Sequence, residues 1–400
     1  MSPLASAPDW RELAKFQGTI THDEFARLLD TVYAPDGAWK PSITLNADSA
    51  LIATDDPTSP FTLRFAHSDE LPKNPPRFWT PASARKHRAG NPLRGVHIAL
   101  DPGHLGGSWA KMEERWFQIG ASSMPVTEGD MTLRVAKLLA PRLRALGADV
   151  SLVRSAAQPV TRLRPDDLRE FAKAELQKEG VQFIRETYDG PDDPLKQNSI
   201  QWHSELLFYR TAEIHQRARI VNRKLQPDLV LCLHFNAEDW GDPTHPRLVE
   251  NNHLHLLVNG CYSAAELAFD DIRFDMLRKL LSRCYAEELP AAEHVANCLS
   301  RDTGLPPYQY TKGNARRTGD NPYLWARNLL ANRLYDCPVV YVEPYVMNSK
   351  PVWERVQMGD YPGERMVAGS MCKSIYREYA DAVAEGLAGY YRETYSTNHR

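Results

Sequence analysis

The sequence predicts an α/β fold: a mostly parallel or mixed sheet sandwiched by helices, preceded by a small N-terminal α+β unit. Three observations carry this expectation. From Gly95 onward, short apolar runs alternate with amphipathic ones, as they do in a sheet with helices on both faces. Several of those runs, such as “LVLCL” and “VVYV”, are apolar without alternation, as strands buried on both sides are. Finally, a stretch dense in proline and basic residues, 69–94, separates this region from what precedes it and reads as a linker.

Residues 1–68 form the expected small unit. “THDEFARLL” opens with Thr21 as a helix cap and Glu24 three residues on, a capping box. Two strand-like runs follow, “SITLNADSALIAT” and “FTLRFA”, split by the turn-rich “DDPTSP”. The main domain is expected over 95–392. It begins with the strand “GVHIAL”, continues with the amphipathic helix “MTLRVAKLLAPRLRALG”, and returns in the strand “ADVSLVR”. A helix through “TAEIHQRARIVNRKL” precedes the strand “DLVLCLHFNA”; “HLHLLVNG” and “CPVVYVEPYV” are further strands, and “SIYREYADAVAEGLAGYY” is a closing helix. Two stretches break the rhythm and read as inserts, 155–205 and 262–290. The first should hold a helix through “RPDDLREFAKAELQKEGVQFIRETY”, with Pro165 and two aspartates at its start.

The composition narrows the function. At 42% hydrophobic, 25% charged and a net charge of −3, the 400 residues offer a substantial core and no general attraction for nucleic acid or anionic membrane. The cluster Arg85-Lys86-His87-Arg88 is short enough to be a solvated face. No apolar run is long enough to span a bilayer. The first residues lack the charged start and apolar stretch of a signal peptide. The six cysteines form no C-x-x-C pair and read as unpaired.

Candidate chemistry gathers at strand ends. His104 follows the first strand in “LDPGHLGG”, where open α/β sheets place ligand-binding groups. Glu128 opens the next helix; His234 ends “LVLCLH”, with Asn236 in the polar turn beyond it; Glu343 ends “VVYVE”. Each has a plain structural reading: a turn histidine, a helix-dipole acid, a core histidine, a salt-bridged acid. Together they can reach a single edge of one sheet. Two imidazoles and a carboxylate are a catalytic zinc set that leaves a position for water, and a further glutamate is the proton acceptor such a site needs. Gly103, Gly106 and Gly107 are read as keeping the approach to His104 clear for a bulky substrate. His253 and His255, alternating with leucines, are expected to project away from the site, whereas Trp109 and Trp116 are placed to line a groove. No G-x-S-x-G, H-E-x-x-H, Walker or dinucleotide motif is present.

The order “LDPGHLGG…EGDMTLRVAKLLAPRLRALGADVSLVR…QRARIVNRKLQPDLVLCLHFNA…VVYVEPYVMN” resembles the zinc-dependent N-acetylmuramoyl-L-alanine amidases of the Amidase_3 family. The resemblance spans about residues 95–392 apart from the two inserts. It implies one Zn2+ held by His104, Glu128 and His234, with Glu343 as the catalytic glutamate. Arg217 and Asn222 match the arginine and asparagine of the helix before the second histidine, and Asn236 and Arg217 are the candidates for holding substrate. The implied substrate is peptidoglycan or a muropeptide, cut between N-acetylmuramic acid and L-alanine. Such a substrate implies a periplasmic or extracellular place, although the visible N-terminus leaves a cytoplasmic one open. An insert that covers the zinc would call for an activating partner. The chain departs from the pattern at Leu105, which lengthens the turn after His104; at Pro344; and in the interval to Glu128, which contains Glu113 and Glu114 as rival carboxylates. Glu128 is preferred because the helix follows it. Two alternatives keep the fold: a zinc carboxypeptidase-type peptidase, with Arg316, Arg317 and Arg327 available to clamp a carboxylate, and a non-catalytic cell-wall binding or regulatory protein.

Overall fold

The structure is a computed structural model, and it describes residues 1–67, 72–85, 90–242 and 245–397. The N-terminal region holds helix α1 (His22–Leu28) and a three-stranded antiparallel sheet of β1 (Ile43–Leu45), β2 (Ser49–Ile52) and β3 (Phe61–Arg64). The run expected as one strand is therefore two. Asn46 N donates to Ser49 O at 2.8 Å and closes a tight turn between them. Thr21 caps α1, its hydroxyl accepting from Glu24 N.

The main sheet has seven strands in the order β10-β11-β9-β12-β8-β4-β7. In chain order these are β4 (His97–Pro102), β7 (Asp149–Leu152), β8 (Leu229–Leu233), β9 (Leu254–Val258), β10 (Arg316–Arg317), β11 (Leu324–Ala326) and β12 (Val339–Pro344). A small ribbon of β5 (Trp116–Phe117) and β6 (Val126–Thr127) intervenes after helix α2 (Trp109–Met112). Strands β7, β4, β8 and β12 run parallel, β9 runs antiparallel to β12, and β11 lies parallel to β9. The sheet is thus mixed, as expected. Alternation within each strand feeds two cores. Leu229, Leu231 and Leu233 of β8 join one, and Val230 and Cys232 join the other.

Helix α3 (Glu128–Ala145) covers the first face with two later helices, α9 (Tyr285–Thr303) and α12 (Ile375–Thr397). The second face takes Ala218 of α6 (Glu213–Ile220) and Ala331 of α10 (Leu330–Leu334). The region between β7 and α6 contains α4 (Arg169–Lys178) and α5 (Ile200–Leu206). Helix α4 stops ten residues short of the expected end at Tyr188. Gly180 adopts φ +76° there, and Val181 N bonds back to Leu176 O at 3.1 Å, a Schellman-type stop. Wide π turns at Leu207–Ala212 and Val221–Leu225 flank α6.

Residues 262–290, expected as an insert, are built into the core. They form α7 (Ala264–Leu267), α8 (Asp270–Leu281) and the start of α9, and bury Met276, Leu277, Leu280 and Leu281. A buried ion pair fastens them there. Glu288 Oε1 accepts from Lys279 Nζ at 2.7 Å and from Val339 N at 3.0 Å, while Lys279 Nζ also donates to Cys337 O. One carboxylate thereby ties α8 and α9 to β12. The N-terminal elements share the same apolar cluster: Trp10 packs edge-on against Phe274 of α8, and Arg283 pairs with Glu24. The proline-rich stretch lies against the domain where described, with Trp79 and Leu93 buried and Thr80 N bonded to Asp228. Residues 69–71 and 86–89 of it, with most of the basic cluster, lie outside the described residues. The chain finishes through α11 (Lys350–Gln357) and the hairpin of β13 (Glu364–Val367) and β14 (Ser370–Lys373) before α12. All six cysteines are free.

Replacing Glu288 by Ala should leave the Lys279 charge buried without its partner and cost about 3–5 kcal/mol in urea denaturation. The double replacement Lys279→Met with Glu288→Leu should recover most of that loss.

Candidate active site

The tip of β4 is held by two buried guanidinium groups. Arg217 of α6 donates to Glu213 Oε1 (2.9 Å), Asp101 Oδ1 (3.0 Å), Pro102 O (2.9 Å) and His104 O (3.1 Å). Arg154, just after β7, donates to Pro102 O, Gly103 O and, across the loop, Gly129 O at 2.9 Å. Arg217 was a candidate for holding substrate. It is 1% exposed and makes these four bonds to the protein itself, so it holds the loop while lining the wall of the cavity described below. Asn222 is likewise structural, donating to Leu334 O and accepting from Asp336 N.

Pinned in this way, the backbone turns at His104 with φ +58°. The imidazole Nδ1 lies 3.0 Å from Glu113 Oε1, and Glu113 Oε2 accepts from Leu105 N. When the Glu113 carboxylate is ionised it can only accept, and Nδ1 then carries the proton, which leaves the Nε2 lone pair turned to Glu128. Nε2 stands 3.2 Å from Glu128 Oε2. His234, one residue beyond β8, places Nδ1 3.2 Å from Glu128 Oε1, and Phe235 N donates to that same oxygen. The ring of His234 stacks on Tyr341 at 4.3 Å and meets His104 edge-on at 5.0 Å.

One donor atom each from His104, Glu128 and His234 lie within 4.8 Å of one another, and they are the one such group of three or more among the described residues. Two imidazoles turned toward a shared carboxylate bring lone pairs together, and a cation between them would satisfy all three. The electrostatics agree. Burial, foremost, pushes the His104 imidazole well below its ordinary pKa, favouring the neutral ligand form. Burial acts to raise the Glu128 carboxyl, but His104, His234 and Arg115 together hold it below its usual value. Glu113, by contrast, is raised by burial to about 7. The donor set therefore fits a divalent transition metal.

Glu343, at the end of β12, shares one cavity of about 440 Å³ with all three, and Asn236 and Arg327 line it too. Asn236 Oδ1 accepts from Ala237 N, and its Nδ2 stands 3.5 Å from His255 Nδ1. None of residues 262–290 lines this cavity, and the earlier insert reaches it only through its continuation at Tyr209 and Arg210. Of the three arginines considered for a carboxylate clamp, Arg316 pairs with Asp36 on the surface, Arg317 is exposed, and only Arg327 lines the cavity. Trp109 packs against Phe208, whereas Trp116 lines a neighbouring cavity of about 610 Å³ with Trp240.

The glycines have a different purpose from the one expected. A Cβ at Gly103 would stand 2.1 Å from the His234 ring, and one at Gly106 would stand 2.2 Å from Asp130 Oδ1. They admit the protein's own side chains; Gly107 N donates to that same Asp130. The rival carboxylates separate cleanly. Glu113 braces His104, whereas Glu114 pairs with Lys196 at the surface. The bracing role has no signature in the sequence, since it depends on a loop doubling back. His255, expected to face away, lies 3.0 Å from Glu343.

Glu113→Ala should weaken the affinity for an added divalent metal about 10–100-fold, measured by chelator competition, as loss of a partner behind a metal ligand does. Glu114→Ala should leave it unchanged.

No protein-family model matches the chain, and no curated protein does. Among solved structures it is similar to the N-acetylmuramyl-L-alanine amidase Ami1 from Mycobacterium smegmatis, with 16% identity over 75% of this chain and 99% of that one and a TM-score of 0.38. It is similar to the N-acetylmuramoyl-L-alanine amidase AmiC2 of Nostoc punctiforme, with 14% identity over 75% and 99% and a TM-score of 0.38. A third similar structure is the CwlD amidase from Clostridioides difficile, solved with the GerS lipoprotein: 12% identity over 74% and 98%, TM-score 0.40.

Proposed function

We propose that this chain is a zinc-dependent hydrolase that cleaves the amide between N-acetylmuramic acid and L-alanine in peptidoglycan or its fragments. The observation that carries the reaction class is the convergence of His104, Glu128 and His234 on the wall of a cavity that Glu343 also lines. The choice of bond rests on the sequence resemblance around these same four residues. Lewis acidity, which polarises a carbonyl and lowers the pKa of water, is what a zinc ion supplies when bound to such a set.

The chain's own residues do the rest. Glu113 fixes the His104 tautomer, and Tyr341 fixes the plane of the His234 ring. Burial acts to raise the Glu343 carboxyl, but His255 beside it, with His234 and Arg327, brings it to about 2. These neighbours favour its anionic form, the form that can accept a proton. Glu343 takes that proton from the attacking water as the water oxygen bonds to the lactyl carbonyl carbon. It then delivers the proton to the alanine nitrogen as the C–N bond breaks, leaving a carboxylic acid and a free amine. Such a substrate would place the protein in the cell envelope; no helix among the described residues is long and apolar enough to cross a membrane.

Glu343→Gln should retain zinc and lose about 10²–10⁴-fold in turnover. Purified peptidoglycan treated with zinc-loaded protein should yield new amino-terminal L-alanine, and chelator-stripped protein should yield none. Turnover by Glu343→Gln at the parent rate would remove the base assignment.

A further inference from the structure

Strand β9 carries one residue whose placement the hydrolytic scheme leaves unexplained. In the antiparallel ladder between β9 and β12, His255 is the register partner of Glu343. Leu254, Leu256 and Val258 face the α3–α9–α12 core, so His255 points the other way, to the side that holds Tyr341 and Glu343. It is 1% exposed and does not line the cavity. Its Nε2 lies 3.0 Å from Glu343 Oε2 and 3.0 Å from the Tyr310 hydroxyl, which accepts from Arg327 Nη1 at 3.2 Å. Asn236 Nδ2 stands 3.5 Å from the other ring nitrogen, and Tyr308 and Tyr310 pack on the ring at 5.0 and 5.4 Å.

We infer that His255 is a positioning residue for hydrolysis, whose N–H holds one oxygen of Glu343 so that the other faces the attacking water. This rests on the reading of Glu343 as the base. A glutamate side chain has three torsions, and ordering it costs rotamer freedom. A general base must also lie within hydrogen-bond reach of the proton it removes. A carboxylate can only accept, so Nε2 carries the hydrogen. Asn236 Nδ2, on the Nδ1 side of the ring, can only donate, which agrees with a hydrogen on Nε2. The imidazole is in turn immobilised by tyrosines on one side and Asn236 on another. His255 touches no substrate in this scheme; it acts through Glu343 alone. The remaining charged or titratable groups around the pair are His253 before β9, His234 after β8, Tyr341 on β12, and Arg327 and Tyr310.

Two readouts test this on the full-length zinc-loaded protein. In steady-state cleavage of a muropeptide, His255→Ala should lower kcat about 10–100-fold with KM and zinc content unchanged. His255→Gln, whose amide can still donate, should recover part of the loss. Independently of turnover, carboxyl 13C NMR with glutamate labelling, assigned by the signal missing in Glu343→Gln, should show Glu343 titrating at a higher pH in His255→Ala than in the parent. If Glu343→Gln retains turnover, the base assignment falls and the positioning role falls with it. If Glu343→Gln is inert while His255→Ala keeps the parent kcat, the base stands and His255 positions nothing. If the parent does not cleave the muropeptide, the proposed substrate fails, and the NMR comparison alone decides the link between His255 and Glu343: an unmoved titration overturns it.

Discussion

Everything at the candidate site depends on backbone carbonyl groups turned inward to meet two buried cations. The carbonyls of Pro102, Gly103, His104 and Gly129 all accept from Arg154 or Arg217. Those two guanidiniums come from opposite sides of β4, one after β7 and one from α6. Asp101 and Glu213 neutralise Arg217, and Tyr335 donates its hydroxyl hydrogen to the second oxygen of Asp101. A buried cation without such partners would be prohibitively expensive, and with them it is rigid. The loop therefore cannot relax into the ordinary right-handed backbone at His104. The left-handed turn that aims the imidazole is a result of where the carbonyls must point.

The site is built from two dyads of opposite order. On one side a carboxylate, Glu113, stands behind an imidazole, His104, that faces the cavity. On the other an imidazole, His255, stands behind a carboxylate, Glu343, that faces it. In both cases the bracing member is the more buried of the two and bears on which atom its partner presents. The difference suits their tasks. A metal-facing nitrogen must be an unprotonated lone pair, whereas a proton-accepting oxygen must be an anion held in place.

Much of this was legible in the sequence. The apolar runs that end at Pro102, Leu233 and Pro344 read as strands buried on both faces, and the residues at their tips gather at one end of the sheet because these three strands are adjacent and parallel. Glu128 was separable from Glu113 and Glu114 because a long amphipathic helix begins at it. What stayed hidden depends on tertiary pairing. The approach of His255 to Glu343 follows from a register between strands more than eighty residues apart. The glycines were visible, but the side chains they accommodate, His234 and Asp130, come from distant elements. Residues 262–290 interrupt the strand–helix rhythm and so read as an addition, although Lys279 and Glu288 fasten them to the central sheet.

Leu105, the extra residue in the turn after His104, is 1% exposed, packed with Leu168, Ala172, Leu176, Ile200 and Phe208 of the region between β7 and α6. Neither partner makes sense by itself. The leucine without that region would be a bare apolar side chain beside a polar cavity, and the region without the leucine would enclose a void. The turn after His104 and the helices that follow β7 are therefore one packed unit, and a change of apolar volume in either would be felt at the other, within one residue of a candidate metal ligand.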